Sequence, residues 1–514
     1  MPGMTVPLVD AGAIAPEAHL AGRVGRGALW SSVNNILLRF AAMAVNIALA
    51  RILAPSQFGA FAVAVTVYGI LSAAADLGIA ADLVRHGDFA RRAATTATLG
   101  AASGGALMLA MILTARPIAS AMGAPDAASV VMVMAICLFL SGATVVPYAR
   151  IQRDFLQGRQ LVLDASTLLV GSGITIVLAL HGWGAMSLAV GRVASQVLAT
   201  GLQFRLAGVA PKFGWDRQIV PGILRFGVPV AGANLLSWVV IGVDNMVVGH
   251  VMGGLSLGFY VLAFNVSSWP MSAVGQVIRS VAFPAFSRLA DEPARASEAL
   301  RKACLVAWGL AVPLGALLVV LADPLVRGLY GSRWAPAAAP LAGLALFGAL
   351  RVVFDVLAPM LFALGRSRLV LLVQVSWLAA LIPAMVIGIH YWGLSGAAWA
   401  HLVTSAAVAL PLYLLALRGA GLATGLVLRT AVVPVASGAI AAFLALGAVH
   451  LVEGVWTQLL VGTVTLGGSY TVVAGVCLLH NGTIAWDRVH ARARTAFSRE
   501  NTALGHSRDE PAAG

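Results

Sequence analysis

The chain is predicted to be an all-α polytopic membrane protein: fourteen transmembrane helices arranged as two six-helix pseudo-symmetric bundles plus two C-terminal helices. Three observations carry this. Fourteen apolar stretches follow one another with little between them, and a helix needs about 20 apolar residues to cross the hydrocarbon core. The composition, 60% hydrophobic and 10% charged over 514 residues with a mean hydropathy of +0.91, leaves too little polar surface for a water-soluble globule. Finally, the basic residues collect on alternate connections. A soluble enzyme is excluded.

The elements follow in order. Trp30 to Ala50 ends on Arg51; Met1 to Gly27 before it lacks the compact apolar core and small-residue cleavage site of a signal peptide, so this span is expected to serve as an uncleaved targeting signal. Phe58 to Ala80 opens beyond Pro55 and closes before Arg85. Thr95 to Ala115 lies between Arg91-Arg92 and Arg116-Pro117. Val130 to Ala149 ends on Arg150, Gln160 to Leu180 on His181-Gly182, and Gly184 to Phe204 on Arg205. Leu224 to Val248 and Leu257 to Val281 are joined by a short glycine-containing link. Ala303 to Leu321 follows Arg301-Lys302, and Ala337 to Ala363 stops before Arg366. Leu369 to Ile389 and Gly393 to Leu415 are nearly continuous, and Leu428 to Val449 and Thr457 to His480 complete the set.

If the N-terminus is cytoplasmic, inner segments hold 25 of the 33 Lys and Arg, outer segments only Arg51, Arg116, Arg327 and Arg333, and spans the remaining Arg39, Arg192, Arg279 and Arg351. The positive-inside rule then places both termini in the cytoplasm. Topology thus accounts for most of the +13 net charge, and no nucleic-acid partner is implied. Cys137, Cys304 and Cys477 are scattered through the spans, a pattern of small core residues with no disulfide framework, metal or cofactor. Outer loops are short, and HExxH, GxSxG, CxxC and Walker patterns are absent. The chain is therefore read as no enzyme. The basic tail 481–514 is expected to be solvated.

A duplication is visible. His181, Trp183, Gly184 and Ala189 recur as His390, Trp392, Gly393 and Ala398, and Gly158-Arg159 recurs as Gly365-Arg366. Gly59, Phe61 and Ala64 echo Gly258, Tyr260 and Ala263. Offsets of 199 to 209 residues imply two six-span halves of like orientation. The organisation read from this is a cytoplasmic segment 1–27, a bundle 28–206, a linker 207–223, a second bundle 224–418, two added helices within 427–480 and the tail 481–514. Two facing bundles make a cleft with two gates, the architecture of alternating access.

The blocks Leu49-Ala-Arg-Ile-Leu-Ala-Pro-Ser-Gln-Phe-Gly59, Ala75-Asp-Leu-Gly-Ile-Ala-Ala-Asp-Leu-Val-Arg85, Val243-Asp-Asn-Met-Val-Val-Gly249, Leu257-Gly-Phe-Tyr-Val-Leu-Ala263 and Leu329-Tyr-Gly-Ser-Arg-Trp334 resemble the polysaccharide transporter (Wzx-type) flippases, in their WzxC/TuaB-like branch. The resemblance runs from about Gly25 to Ser405 and implies the fold of the multidrug/oligosaccharidyl-lipid/polysaccharide exporter superfamily. It also implies a bacterial inner-membrane flippase that moves a lipid-linked (polyprenyl-diphosphate) oligosaccharide repeat unit for exopolysaccharide, lipopolysaccharide or other surface-glycan biosynthesis. Polysaccharide polymerase and co-polymerase proteins would be further partners beside the lipid bilayer. A cation-coupled multidrug antiporter of the same superfamily is the alternative, and a membrane glycosyltransferase or polymerase a remote one.

Candidate site residues are the polar groups within spans. Arg39 sits near the middle of the first span, where an arginine costs roughly 2.5 to 3.5 kcal/mol, and its planar fork suits a diphosphate. The surroundings of Arg39 resemble the first helix of the lipid II flippase, although Val45 stands where that family has a second arginine. Arg351, Asn34, Asn46 and Arg192 complete the substrate-binding set, Arg192 matching His401 in the repeat. Arg351 and Asp355, four residues apart, share a helix face and are read either as a self-neutralising pair or as headgroup contact and coupling site. Asp244 has no basic neighbour on its own helix and is the second ion-coupling candidate. Asp76, Asp164 and Arg279, near cytoplasmic span ends, are read as gate residues. Trp30, Trp269, Trp334 and Trp392 are expected in an interfacial belt.

The orientation yields a direct test. Cysteines introduced at Ser120 and Ser332 are expected to react with an impermeant thiol reagent in intact cells, and one at Ser507 only after permeabilisation; outside labelling at 507 would invert the topology.

Overall fold

The computed structural model describes residues 38–75, 79–80, 83, 88–154, 156–289 and 292–480. Asn34 and Asp76, like the segments 1–27 and 481–514, lie outside the described residues. All regular structure among them is helical. The helices are α1 (38–52), α2 (Pro55–Ala75), α3 (Phe89–Ala121), α4 (Ala128–Ala143), α5 (Val145–Arg153), α6 (Gln157–Leu180), α7 (Ala185–Ala207), α8 (Val220–Ser287), α9 (Pro293–Val320), α10 (Ala322–Tyr330), α11 (Ala338–Ala363), α12 (Ser367–Thr404), α13 (Leu410–Arg418), α14 (Gly425–His450) and α15 (Val455–His480). Helices are the only open-chain way to satisfy every backbone donor and acceptor in hydrocarbon.

Eleven helical segments among the described residues are long and apolar enough to span a membrane, against fourteen spans expected. The difference has a physical origin. The seventh and eighth spans form the single helix α8, bent at Gly253 (φ 80°, ψ 174°). The eleventh and twelfth lie in α12, bent at Gly393 (φ 57°, ψ −140°) and continued through a π-helical turn, Ser405–Ala409, into α13. The expected first span, Trp30 to Ala50, lies only in part within the described residues. Only glycine turns the chain at such angles without a Cβ clash, so a hairpin needs no polar loop there.

The chain divides into two compact units, Met1–Val261 and Leu262–Gly514. In the first, helices meet on glycine. A Cβ on Gly59 would overlap the Gly254 carbonyl, and one on Gly258 the Pro55 carbonyl. Gly100 and Gly142 bring α3 and α4 together in the same way, as Gly171 and Gly191 do for α6 and α7. Where lipid tails are as apolar as the side chains, such close approach is what holds helices together. Leu49, Leu53, Ala179 and Leu188 fill the adjoining core. The linker is stitched to the start of α3: Thr98 donates to the Gly214 carbonyl (2.8 Å) and accepts from its N–H (3.0 Å), Thr95 accepts from the Asp216 N–H (3.1 Å), and Arg91 pairs with the Asp216 carboxylate at 3.3 Å. Beside Lys212 and Arg217, the exposed Phe213 and Trp215 give this strap an interfacial character.

In the second unit the last two spans pack on α9 through Ala316, Val320, Leu321, Ala441, Ala445, Val449 and Leu466. Tyr470 donates to the Gly309 carbonyl at 3.1 Å. Trp334, expected in the interfacial belt, is instead completely buried. It lies in a 3-10 turn, Ser332–Ala337, that folds onto the helices, and its ring is core.

The repeat persists in backbone geometry. Gly184 and Gly393, 209 residues apart, adopt φ 56°, ψ −134° and φ 57°, ψ −140°, and Ala189 and Ala398 beyond them are both fully buried. Arg159 donates to the Leu206 carbonyl at the end of α7, and Arg366 to the Gly419 carbonyl just past α13 at 2.9 Å. A cation on terminal carbonyls satisfies acceptors that no further turn can reach.

Gly258→Leu should destabilise the protein by about 1–3 kcal/mol or more through overpacking, read as a lower melting temperature in detergent. Gly201→Leu, at a position with open space around it, should leave melting unchanged.

Candidate functional site

Polar residues inside spans persist only where water, a partner or a ligand repays their dehydration. In the first unit, Arg39 is accessible and has no ion-pair partner among the described residues. Asn46, weighed as a helix-to-helix or sugar contact, turns its amide back onto the Ala42 carbonyl of its own helix at 2.9 Å. Arg192, on α7, is accessible and lies beside the Tyr68 hydroxyl and Cys137.

Asp244 is buried, 4% exposed. Its carboxylate accepts from the Tyr260 hydroxyl at 3.2 Å and from the Asn245 N–H at 2.8 Å. Tyr260 comes from the other arm of α8, so the Gly253 bend is what brings donor and acceptor together. Asn245 in turn donates its side-chain amide to Thr66 on α2 at 3.1 Å. Asp164 is exposed and accepts from Gln160 one turn earlier at 2.9 Å.

In the second unit, Asp355 pairs with Arg279 of α8 at 2.6 Å rather than with Arg351 on its own helix. The four-residue spacing allows an intrahelical pair, but a partner on the facing helix reaches the carboxylate more directly. Gly275, one turn before Arg279, makes room: a Cβ there would overlap the Asp355 carboxylate. Arg279, read as a gate residue, is thus the counter-ion of a coupling candidate. Arg351 is left accessible, without a carboxylate among the described residues.

Close to Arg351 lies His401, 4% exposed and set against Phe347 (ring centroids 4.9 Å) and Trp377 (6.2 Å). Trp377 donates to Thr404 at 3.2 Å. The π-turn Ser405–Ala409 begins one residue later; such bulges commonly mark functional places in helices. Tyr260, Gly275 and Trp377 were not singled out as site residues from the sequence. Gly275 and Arg279 are four apart, a spacing that signals a shared face, but nothing local identifies the carboxylate they meet.

The chemistry available is therefore cationic and unevenly compensated. Arg39, Arg192 and Arg351 present guanidinium groups with no carboxylate beside them among the described residues, whereas Arg279 is neutralised. Bidentate forks of this kind suit phosphate or carboxylate. No group of His, Cys, Asp and Glu that could hold a metal is present among the described residues.

Residues 48–339 match the polysaccharide biosynthesis protein family. The succinoglycan biosynthesis transport protein ExoT of Rhizobium meliloti (strain 1021) is 28% identical over 323 residues, 62% of this chain and 65% of that protein's length. The lipopolysaccharide biosynthesis protein WzxC of Escherichia coli (strain K12) is 25% identical over 382 residues, 70% of this chain and 74% of its own. Among solved structures, the lipid II flippase MurJ in an inward closed conformation superimposes with a TM-score of 0.70 at 12% identity, covering 88% of this chain and 99% of MurJ. An inward-facing multidrug resistance MATE family transporter of the MOP superfamily gives 0.59 at 18% identity, covering 75% and 94%. At these identities the likeness concerns the fold alone. With a family match across more than half its length, the chain belongs to the polysaccharide biosynthesis proteins, as a Wzx-type multi-pass membrane transporter and not an enzyme.

Proposed function

We propose that this protein flips a lipid-linked oligosaccharide, a polyprenyl-diphosphate repeat unit of a surface glycan, from the inner to the outer leaflet of a bacterial inner membrane by alternating access. The observation that carries the reading is the set of accessible arginines within spans, Arg39, Arg192 and Arg351, with no carboxylate beside them among the described residues. A diphosphate and its sugars lose hydration in hydrocarbon at a prohibitive cost. Guanidinium groups in a wet passage replace that hydration, while the polyprenyl tail stays in lipid. The potential, negative inside, favours outward movement of the anion by about 2.3 kcal/mol per charge per 100 mV.

In this reading the bends at Gly253 and Gly393 each join two spans, which with α1 makes fourteen, in repeats over 28–206 and 224–418 followed by two added helices; both termini are cytoplasmic. Arg39 in the first unit and Arg351 in the second are each headgroup contacts. Asp244, hydrogen-bonded to Tyr260, is the coupling carboxylate. The Arg279–Asp355 pair ties α8 to α11 and is the element that re-forms between states. Asp76 and Asp164 act as gate residues, and Asn34 contributes to substrate binding. Polymerase and co-polymerase proteins receive the product.

Arg39→Ala should lower export roughly 10- to 100-fold at unchanged membrane abundance, since hydrogen bonds to a charged group are worth about 1.5–3 kcal/mol; Arg39→Lys should retain part of the export because charge survives without the fork. Normal export by the alanine variant would remove Arg39 from the path. In vesicles loaded with lipid-linked substrate, Asp244→Asn should abolish dependence of flipping on an imposed pH or sodium gradient, whereas Asp355→Asn should chiefly lower thermal stability by stranding Arg279. Gradient dependence that survives Asp244→Asn would leave the membrane potential as the driving force.

A further inference from the structure

The first unit contains a cavity of about 220 Å³ that none of the arginines above accounts for. Its polar walls come from three directions. Tyr68 and Ser72 are one turn apart on α2, Ser141 and Tyr148 lie on α4 and α5, and Gln196 and Gln203 are two turns apart on α7. The pairs on α2 and α7 each fall on a single helix face, and with α4 and α5 these helices line a common space within the first unit.

Several hydroxyls around this space have their protons already committed. Ser72 spends its proton on the Gly69 carbonyl (2.9 Å), Ser141 on that of Leu138 (2.9 Å), and Thr144, also at the wall, on those of Leu140 and Ser141 (3.1 and 3.0 Å). With their protons so placed these hydroxyls keep lone pairs, Ser141 also meeting the Tyr68 hydroxyl, while Tyr68, Tyr148, Gln196 and Gln203 bring donors to the same wall. The Gln203 side-chain oxygen, buried, is a further acceptor, with no hydrogen bond among the described residues. A buried acceptor without a donor costs about 1–3 kcal/mol, and a wall that offers both acceptors and donors suits a ligand whose hydroxyls do both.

We propose that this cavity is a sugar subsite that takes one hexose-sized, uncharged polyhydroxylated ring. A water occupies about 30 Å³ of liquid and drug-sized pockets begin near 300 Å³, so the space suits one ring and not a chain of them. Arg192, beside Tyr68, lies at its edge rather than within it. The inference rests on the chain being a glycan carrier and adds the point at which one sugar of the repeat unit would be held.

The test is binding, measured apart from transport. Purified full-length protein in nanodiscs, probed by saturation-transfer NMR with methyl α-glucopyranoside, should show saturable binding, and cyclohexanol, of similar size with one hydroxyl, should not compete. Gln203→Leu, which keeps volume and removes the acceptor, should weaken glucoside binding at least about 10-fold. Ser141→Val serves as a second variant should the first fail to fold, with the same expected loss, and Leu113→Ala, exposed on α3 and outside the cavity, should leave glucoside binding intact. Absence of saturable binding, equal competition by cyclohexanol, or binding unchanged in the folded variants would overturn the subsite and identify a hydrated cavity only. Flipping that persists without glucoside binding would reject the subsite and leave the proposed function standing; glucoside binding without any flipping would do the reverse.

Discussion

Hydrocarbon offers neither hydrogen bonds nor counter-ions, and the arrangement of this protein follows from meeting both needs internally. Backbone groups are satisfied by continuous helices, to the point that two pairs of expected spans are joined through glycine bends instead of polar loops. Side-chain hydroxyls bond back to their own helices, as Thr114, Thr167 and Thr175 do. Asp355 takes Arg279 and Asp244 takes Tyr260. Once these demands are met, what remains is positive: three arginines within spans that no carboxylate among the described residues offsets. The functional reading begins from that remainder.

Much of this was legible in the residues. Apolar runs of spanning length identify the helices because few soluble structures tolerate them, and the family blocks lie largely within the matched region 48–339. The near-constant offset between His181-Gly-Trp-Gly184 and His390-Tyr-Trp-Gly393 corresponds to a shared backbone conformation, since a positive φ at each turn constrains both copies to glycine. The side-chain partners were less legible. The spacing of Arg351 and Asp355 suggests a pair, yet a facing helix supplied Arg279, because reach across a glycine gap cannot be read along one chain. Trp334 looked interfacial by its place near a span end, but the 3-10 turn carried it inward. Asn46 found its partner four residues away, the one arrangement that needs no neighbour.

At the turns Gly184 and Gly393 the backbone is alike while the chemistry beyond it differs. Arg192 and His401 occupy matching places after matching turns. The first is an accessible cation beside a tyrosine, and the second a buried ring between Phe347 and Trp377. One unit sets hydroxyls and amides around a small cavity, while the other gathers aromatic rings ahead of a π-turn. Unlike surroundings at matching places suit the substrate proposed above, whose parts, a charged diphosphate and a neutral glycan, are themselves unlike.

The arginine clamps bear on how such a chain is made. Arg159 closes on the α7 end and Arg366 just past α13, each across a helical hairpin whose two legs leave the ribosome in succession. Each bond involves only residues within about 55 positions of one another, so a hairpin can be locked as soon as its second leg has been inserted. Chains are synthesised from the N-terminus and their parts fold as they emerge. Biogenesis of the first half therefore need not wait for the second, and a hairpin secured at its foot is one less pair of helices for the insertion machinery to shelter.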